Sequence, residues 1–536
     1  MRYGFEERAA EFLATHSSLN AKRIVADIEC EVFTIDLSSV FRHFVRPGLL
    51  IFTTETRFQE SVEKWKNSHL PQAEFVAIVI DGSSESKVNF LKERLPFPDM
   101  LLIQIQEVLR EGDVQENWRR LLLQYGNAEQ LSPYRINIAA GGKMFFGRRA
   151  ELAKLSRSHG CALIYGPRRI GKTSVALRLS SYMREDKRYQ LRLGDFPIHR
   201  ASYVDVGAIG EDASQNIWGH ILRAHGLDPM RFRLYTRRSR FMRQKEADSS
   251  DADALDRIIS TVNGELTIIL DEVDGWIRQE AHENWPALDR LRGMTDEGRA
   301  KVILVGYEGL KRAAQDDRFP FALRGELIHL GPLPRADFDG LVMLPMADLK
   351  IRLSQKDDLL NKIWLRTSGF PHLVQDICGR LVERAIRQRV SAVTGEDLEA
   401  VTAESEHFKS FTRGVINGHF PLAEAVCYAI IIVHGNEQKS SVTNYQAAVS
   451  LNKIIAVLSE FNYSYDSWEM ESAMNSLELR WILKPVGNER ARWAWVNEYQ
   501  YERAKKILYG TGRENLLGDL LDKHKGGPWR RRTWLN

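Results

Sequence analysis

The sequence predicts an α/β protein assembled from several domains, on three observations. Short apolar runs alternate with amphipathic stretches through the first 130 residues, the order of a parallel sheet crossed over by helices. The loop GPRRIGKTS (166–174) stands between an apolar run, ALIY, and a stretch of helical spacing, SVALRLSSYM. A second apolar run, LTIIL (266–270), ends in the carboxylates Asp271 and Glu272.

From the start of the chain, EVFTIDL (31–37), GLLIFTT (48–54), EFVAIVID (74–81) and MLLIQIQ (100–106) read as buried strands, being apolar runs of strand length. ETRFQESVEKWKN, ESKVNFLKERL and ENWRRLLLQY place apolar residues three and four apart and read as helices. A small parallel α/β domain of flavodoxin or Rossmann type is therefore expected over 1–126. Asp36 and Asp81 stand near strand ends, where such sheets hold ligands, but no nucleophile or metal-ligand spacing accompanies them. Sensing or docking is the expected role of this domain, and an effector enzyme with its active site here is the weakest reading. NAEQLSPYRINIAAGGKM (127–144) has no clear period and holds a proline and a glycine pair, which marks a linker.

At 536 residues the chain is too long for one core, and three or four domains are expected. Hydrophobic content of 43% and charged content of 27% belong to the soluble globular class. The first residues, MRYGFEERAAEFLATHSS, carry acids and no signal-peptide core, and nowhere do 18 uncharged apolar residues run together. Neither secretion nor a membrane span is expected. Cys30, Cys161, Cys378 and Cys427 show no CxxC spacing, which argues against structural zinc and a disulfide framework and fits a reducing cytoplasm. A net charge of +4 is mild for this length, so nucleic-acid affinity would have to come from local clusters.

The loop satisfies the pattern G-x-x-x-x-G-K-[ST], with the strand and helix that the pattern needs on its two sides. Gly166, Pro167, Arg168, Arg169, Ile170 and Gly171 would turn backbone N–H groups toward a β-phosphate, and the helix N-terminus adds its dipole. Lys172 would reach the β- and γ-phosphates and Thr173, followed by Ser174, would hold magnesium. Asp271 is placed to hold magnesium through water, and Glu272 to orient the attacking water. ATP with Mg2+ is the expected ligand and a magnesium-dependent ATPase the expected activity. Asp205, ending ASYVD, is a further candidate for supporting the site.

Five segments in order then resemble a known family: FFGRRAELAKL (145–155), IYGPRRIGKTS, LDEVDGW, LGPLPRADFDGLVMLPM (330–346) and TSGFPHLVQDICGRLVE (367–383). Together they resemble the archaeal-type branch of the STAND ATPases, P-loop switch proteins of the AAA-like division. The resemblance covers about 145–385 closely and reaches 497 loosely, leaving 1–130 untouched. It implies an ATPase core over 145–335 and a helical lid over 336–415; the residues themselves suggest a winged helix over 416–500 and a basic C-terminal helix and tail over 501–536. It also implies that Gly147 and Arg148 lie by the adenine edge, and that Pro371, in the Gly369-Phe370-Pro371 turn, touches the base or ribose. Arg324 would act as an arginine finger on a neighbouring subunit, with Arg318 the second candidate; the plain alternative is a surface arginine paired with Glu326. The strand KVILVG leads into Tyr307-Glu308, where ring-forming ATPases carry a polar residue facing the γ-phosphate; a conventional polar sensor is not obvious, and slow hydrolysis is expected. The pair Arg168 and Arg169, unnecessary for cradling phosphate, is characteristic of the family and would couple the loop to acids on the lid or on another subunit.

Over 416–500, three helical stretches precede a hairpin, WILKPVGNERARWAWVN, which reads as a winged helix. Its third helix carries Asp466, Glu469, Glu471 and Glu478 with no cation before Arg480, a face that phosphates would repel. Arg490 and Arg492 leave a minor DNA contact to the wing. Two basic clusters are candidates for nucleic acid, DNA or RNA: Arg237, Arg238 and Arg240 within MRFRLYTRRSRFMRQK, and Arg530, Arg531 and Arg532 beside Trp529 and Trp534. A solvated face and a free tail are the plain alternatives. The leading expectation is a switch ATPase, oligomeric or partnered with a protein, of the kind used in prokaryotic regulation or antiviral defence. The second is a DNA-binding ATPase of origin-initiator or transposition type.

Overall fold

Apolar runs become strands and spaced apolar residues become helices in the computed structural model. It describes residues 2–26, 31–41, 43–44, 46–54, 57–58, 60, 73–81, 91, 95, 100–126, 128–136, 138–185, 191–193, 196–210, 213–227, 251–261, 265–322, 324–405, 421–437, 446–487 and 491–526. The chain divides into two compact units that are not successive stretches. One holds Met1–Phe146, Arg335–Trp364 and Leu373–Ser405, and the other Gly147–Pro334, Leu365–His372 and Glu406–Asn536.

In the first unit, β1 (Lys22–Ala26), β2 (Glu31–Ile35), β3 (Gly48–Thr54), β4 (Val76–Asp81) and β5 (Met100–Gln104) form a sheet in sequential order. β1–β2 and β2–β3 pair antiparallel, while β3–β4 and β4–β5 are parallel. The α/β character holds, but the expected all-parallel domain is corrected to a mixed sheet. Only four residues separate β1 from β2, too few for a crossover helix, so the chain must return antiparallel. β1, KRIVA, was not foreseen, because its cations break the apolar run. Sequential order never reverses, so the sheet lacks the switch-point crevice of flavodoxin and Rossmann sheets. Asp36 caps a turn, accepting the Ser38 N–H at 2.9 Å, and that bond holds its carboxyl below the ordinary range. Phe12, Phe33 and Phe52 meet edge to face, with centroids 4.8 to 5.2 Å apart, and fill the core beneath the sheet.

Part of the 127–144 segment is packed. Ala128–Leu131 is a helical turn, Leu131 and Ser132 are buried, and the Tyr134 hydroxyl donates to the Val342 carbonyl at 2.8 Å.

The second unit is built on β6 (Cys161–Tyr165), β9 (Ala201–Asp205), β10 (Leu266–Asp271), β11 (Ala300–Gly306) and β12 (Glu326–His329), with a hairpin of β7 (Leu191–Leu193) and β8 (Phe196–Ile198) ahead of β9. The order is β12-β6-β11-β10-β9, parallel throughout. Every residue of β10 and β11 is buried, which is why both read as unbroken apolar runs. Leu266, Ile268 and Leu270 join one apolar core with Ile217, Leu255, Ile277 and Leu288 from the helices on that face. By strand alternation, Ile269 and Asp271 project to the opposite face.

The lid region contains the helices Arg335–Asp348, Lys356–Thr367, Pro371–Gln388 and Gly395–Glu404, and a short parallel pair of β13 (Arg352–Leu353) and β14 (Ala392–Val393). The winged helix follows. Pro421–Glu437 is apolar on all sides and lies at the centre, with Leu451–Glu460, Ser467–Leu479 and the strands β15 (Val449–Ser450), β16 (Leu483–Pro485) and β17 (Arg492–Trp495) about it. Glu498–Thr511 and Arg513–Gly526 are helices too, and Tyr501, Ala504, Leu508, Leu517 and Leu521 enter the same core. The expected separate C-terminal helix is therefore part of the winged-helix body, since apolar residues three and four apart need a face to bury. No helix among the described residues is long and apolar enough to cross a membrane. Cys161, Cys378 and Cys427 are buried free thiols.

Candidate nucleotide site

The loop joins β6 to the helix Lys172–Glu185, whose Val175, Ala176, Leu179 and Met183 are buried. Backbone demands explain its glycines. Gly171 has φ +96° with open space where a Cβ would stand, so conformation alone excludes other residues. At Gly166 a Cβ would lie 2.6 Å from the Leu330 carbonyl oxygen, so proximity excludes them. Pro167 and Ile170 are buried, Ile170 completely. Thr173 is half-buried and Ser174 buried, so the first turn of the helix faces inward.

Lys172 is 7% exposed and donates to the loop's own carbonyls, Gly166 O at 3.1 Å and Pro167 O at 3.0 Å. Burial pulls its ammonium below the ordinary lysine value, and the charges of Glu272, Asp271 and Asp274 oppose that shift. Strand order brings those acids here: β11 lies between β6 and β10, leaving a gap at the carboxyl ends into which loop and acids converge. Asp271 is 1% exposed and accepts the Glu272 N–H at 2.9 Å and the Tyr203 hydroxyl at 3.0 Å. Glu272 is in the left-handed region, φ +54°. Burial raises its carboxyl above the usual range and the Asp271 charge adds to this, against Lys172.

A hard divalent cation fits this donor set. Thr173 offers a hydroxyl and Asp271 a carboxylate, the oxygen donors that Mg2+ takes, with no sulfur or imidazole among them. Bound there with nucleotide, magnesium would supply charge neutralisation between the phosphates.

The remaining candidates separate. Gly147 and Arg148 both have positive φ, 71° and 62°, and open the helix Arg149–Arg157. The Arg148 guanidinium is buried and donates to Ile170 O at 3.2 Å, to Gly331 O and to Glu151 at 3.1 Å, bolting the loop to the segment after β12. Pro371 starts its helix, and the Gly369 carbonyl accepts the Leu333 N–H at 2.8 Å, tying the Gly-Phe-Pro turn to LGPL. Arg169 donates to His372 Nε2 at 2.7 Å, one residue beyond Pro371. Arg168 is exposed, and its charge bears on Lys172 and Glu272. Arg324 is 57% exposed and bidentate on Asp296, both contacts 2.7 Å, whereas Glu326 stands near Lys154. Arg318 pairs with Asp316 at the surface. Asp205 caps its own turn, accepting from Ala208 N at 3.2 Å. Arg237, Arg238, Arg240, Arg490, Arg530, Arg531 and Arg532 lie outside the described residues.

Residues that sequence reasoning passed over complete the site. Asp274, read only as part of LDEVD, accepts the Tyr307 N–H at 2.7 Å and the Leu310 N–H at 3.1 Å, fixing the tip of β11. At the tip of β11, the Tyr307 ring lies 5.8 Å from Lys172 Nζ, and its hydroxyl hydrogen-bonds Arg480. Arg480 follows the third winged-helix helix directly. Next to it, Trp481 stacks on His329 at 5.4 Å, and His329 on Tyr165 at 4.9 Å, joining the winged helix to the ends of β12 and β6. Gly331 passes under the same indole, where a Cβ would come within 2.4 Å. Asn497 Nδ2 donates to Arg366 O at 2.6 Å, and Ser368 Oγ to Val496 O at 2.9 Å. A motif search looks for phosphate ligands and has no reason to single out a tryptophan 300 residues away.

The acidic third helix also has a definite orientation. Trp468, Glu471, Asn475 and Leu479, three and four residues apart, line a cavity of about 420 Å³ opposite Ile277, Arg278 and Lys311. That cavity does not include the phosphate loop.

No family model matches the chain, and no curated protein sequence matches it. Among solved structures it is similar to the Walker-type ATPase of Pyrococcus abyssi, at 13% identity and TM-score 0.45, over 67% of this chain and 96% of that one. It is similar to the Aeropyrum pernix ORC2 protein in ADPNP–ADP complexes, at 12% identity and TM-score 0.44, over 71% and 95%. The Aeropyrum pernix ORC1 protein in complex with DNA also matches, at 16% identity and TM-score 0.34, over 72% and 98%.

Proposed function

We propose that the protein binds and hydrolyses ATP with Mg2+, and that the nucleotide bound decides how its winged helix is held. The observation that carries this reading is the convergence of Lys172, Asp271 and Glu272 at one gap in a parallel sheet, beneath a loop whose glycines cannot be replaced. Lys172 donates to loop carbonyls and would exchange them for phosphate oxygens. Glu272 orients water, Tyr307 reads the γ-phosphate, and Arg480 and Trp481 carry the change into the winged helix. Gly147 and Pro371 border the base, and Arg324 acts on a neighbouring subunit once its pair with Asp296 opens.

The finer assignment to STAND-class switches of prokaryotic defence or regulation rests on the motif order over 145–385. What the winged helix engages is a partner protein on this reading, because its acidic third helix faces Arg278 and Lys311 across the cavity. An origin-initiator type of ATPase that engages DNA is the second reading, favoured by the exposed wing residue Arg492. The ORC1 structure named above contains DNA, which is a property of that protein. ATP binding and hydrolysis, measured with and without DNA and with size followed by light scattering, test both. Lys172→Ala is expected to abolish nucleotide binding, and a wild-type protein without it ends the proposal. DNA-stimulated hydrolysis favours the second reading.

A further inference from the structure

We infer that Tyr203 is a positioning residue for the magnesium-binding carboxylate, holding Asp271 in place through its hydroxyl; this rests on the nucleotide reading above. Tyr203 pairs with Ile269 across the parallel β9–β10 ladder, so the two project to one face, and Asp271, two residues on from Ile269, shares it. The neighbours Val204, Ile268 and Leu270 belong to the apolar core on the other face. Register therefore delivers a long phenol diagonally to the acid, and its oxygen donates to Asp271 Oδ2 at 3.0 Å.

The Glu272 N–H holds Oδ1 at 2.9 Å, so both oxygens of a carboxylate only 1% exposed are fixed, one by a donor on β9 and one by the residue that follows β10. A carboxylate has about four lone-pair sites, which leaves two for a hydrated cation. Tyr203 touches neither phosphate nor metal in this scheme. It sets which way Asp271 faces, and groups that orient a metal ligand typically matter about 10–100-fold in metal affinity.

The test uses the full chain, a fluorescent ATP analogue and a Mg2+ titration on wild type and Tyr203→Phe, which keeps the ring and removes the donor. Analogue affinity in EDTA should match wild type, while the Mg2+ concentration at half-effect should rise about tenfold. In an Asp271→Asn background the same change should shift the titration no further. Overlapping titrations, or EDTA affinity falling as much as the magnesium response, overturn the role of Tyr203 and leave ATP binding standing. Wild-type protein that binds no analogue overturns both. If Tyr203→Phe melts too low to titrate, Tyr203→4-fluorophenylalanine, which keeps the ring and its length but removes the donor, decides: a tenfold shift supports the assignment and a wild-type titration overturns it.

Discussion

Two five-stranded sheets stand in this chain, and both end strands in carboxylates, yet among the described residues only one gathers them about a buried lysine. In the N-terminal sheet the strands run β1 to β5 in order, and Asp36 is spent on a turn. In the other, β11 enters between the loop strand β6 and the acid strand β10. That insertion opens the gap where Lys172, Asp271, Glu272 and Asp274 act on one another. Similar residue types at strand ends thus give a cap in one sheet and a cluster of acids about a buried lysine in the other, and strand order makes the difference.

The sharpest way to break the comparison is Glu272→Gln. Hydrolysis should fall by roughly 10²–10³-fold with ATP binding retained, in a phosphate-release assay beside a binding titration. The pH profile gives the same contrast with its sign. Burial and Asp271 raise the Glu272 carboxyl, and the group must be ionised to orient water, so activity should fall on acidification at a pH above the ordinary carboxylate range. An acid limb at the ordinary value would remove Glu272 from that role.

A smaller effect is expected where the winged helix meets the P-loop sheet. Trp481→Ala removes the stack on His329 and the cover over Gly331, and should cost about 2–3 kcal/mol in thermal or denaturant unfolding. It should also weaken the change in stability that ATP produces; an unaltered ATP-induced shift would sever the winged helix from the nucleotide site.

The smallest belongs to the other sheet. Asp36→Ala removes a turn-capping acceptor and should cost about 1 kcal/mol, with hydrolysis unchanged. Because the folded-state carboxyl is held low, the stability Asp36 adds is present above its unfolded value and lost as pH falls through the folded one. A loss of ATPase activity in this variant would mean that the N-terminal sheet holds catalytic groups after all.

Much of the nucleotide site was legible because its residues are fixed by local demands. Gly171 needs φ +96°, the lysine must follow it, and an apolar strand must deliver Asp271 and Glu272. The parallel character of β10 and β11 was legible too, since both faces are covered and the runs are continuous. The N-terminal sheet was misread for the converse reason. Its strands are equally apolar, and apolarity does not report direction; the short β1–β2 connection decides that, and β1 carries cations that hide it. The contact of Arg169 with His372 was not legible, because a charge pattern names a cation but not what the fold brings within 2.7 Å.

By itself the sequence determined the glycine-bearing loop, its lysine and the acid pair at the end of β10, because backbone conformation and strand burial act on neighbours in the chain. Only tertiary structure decided that Asp274 and Tyr307 complete the site, that Tyr203 meets Asp271 and that Arg480 and Trp481 reach it from the winged helix. Those contacts join segments tens to hundreds of residues apart, and depend on strand order and register, which no local spacing encodes.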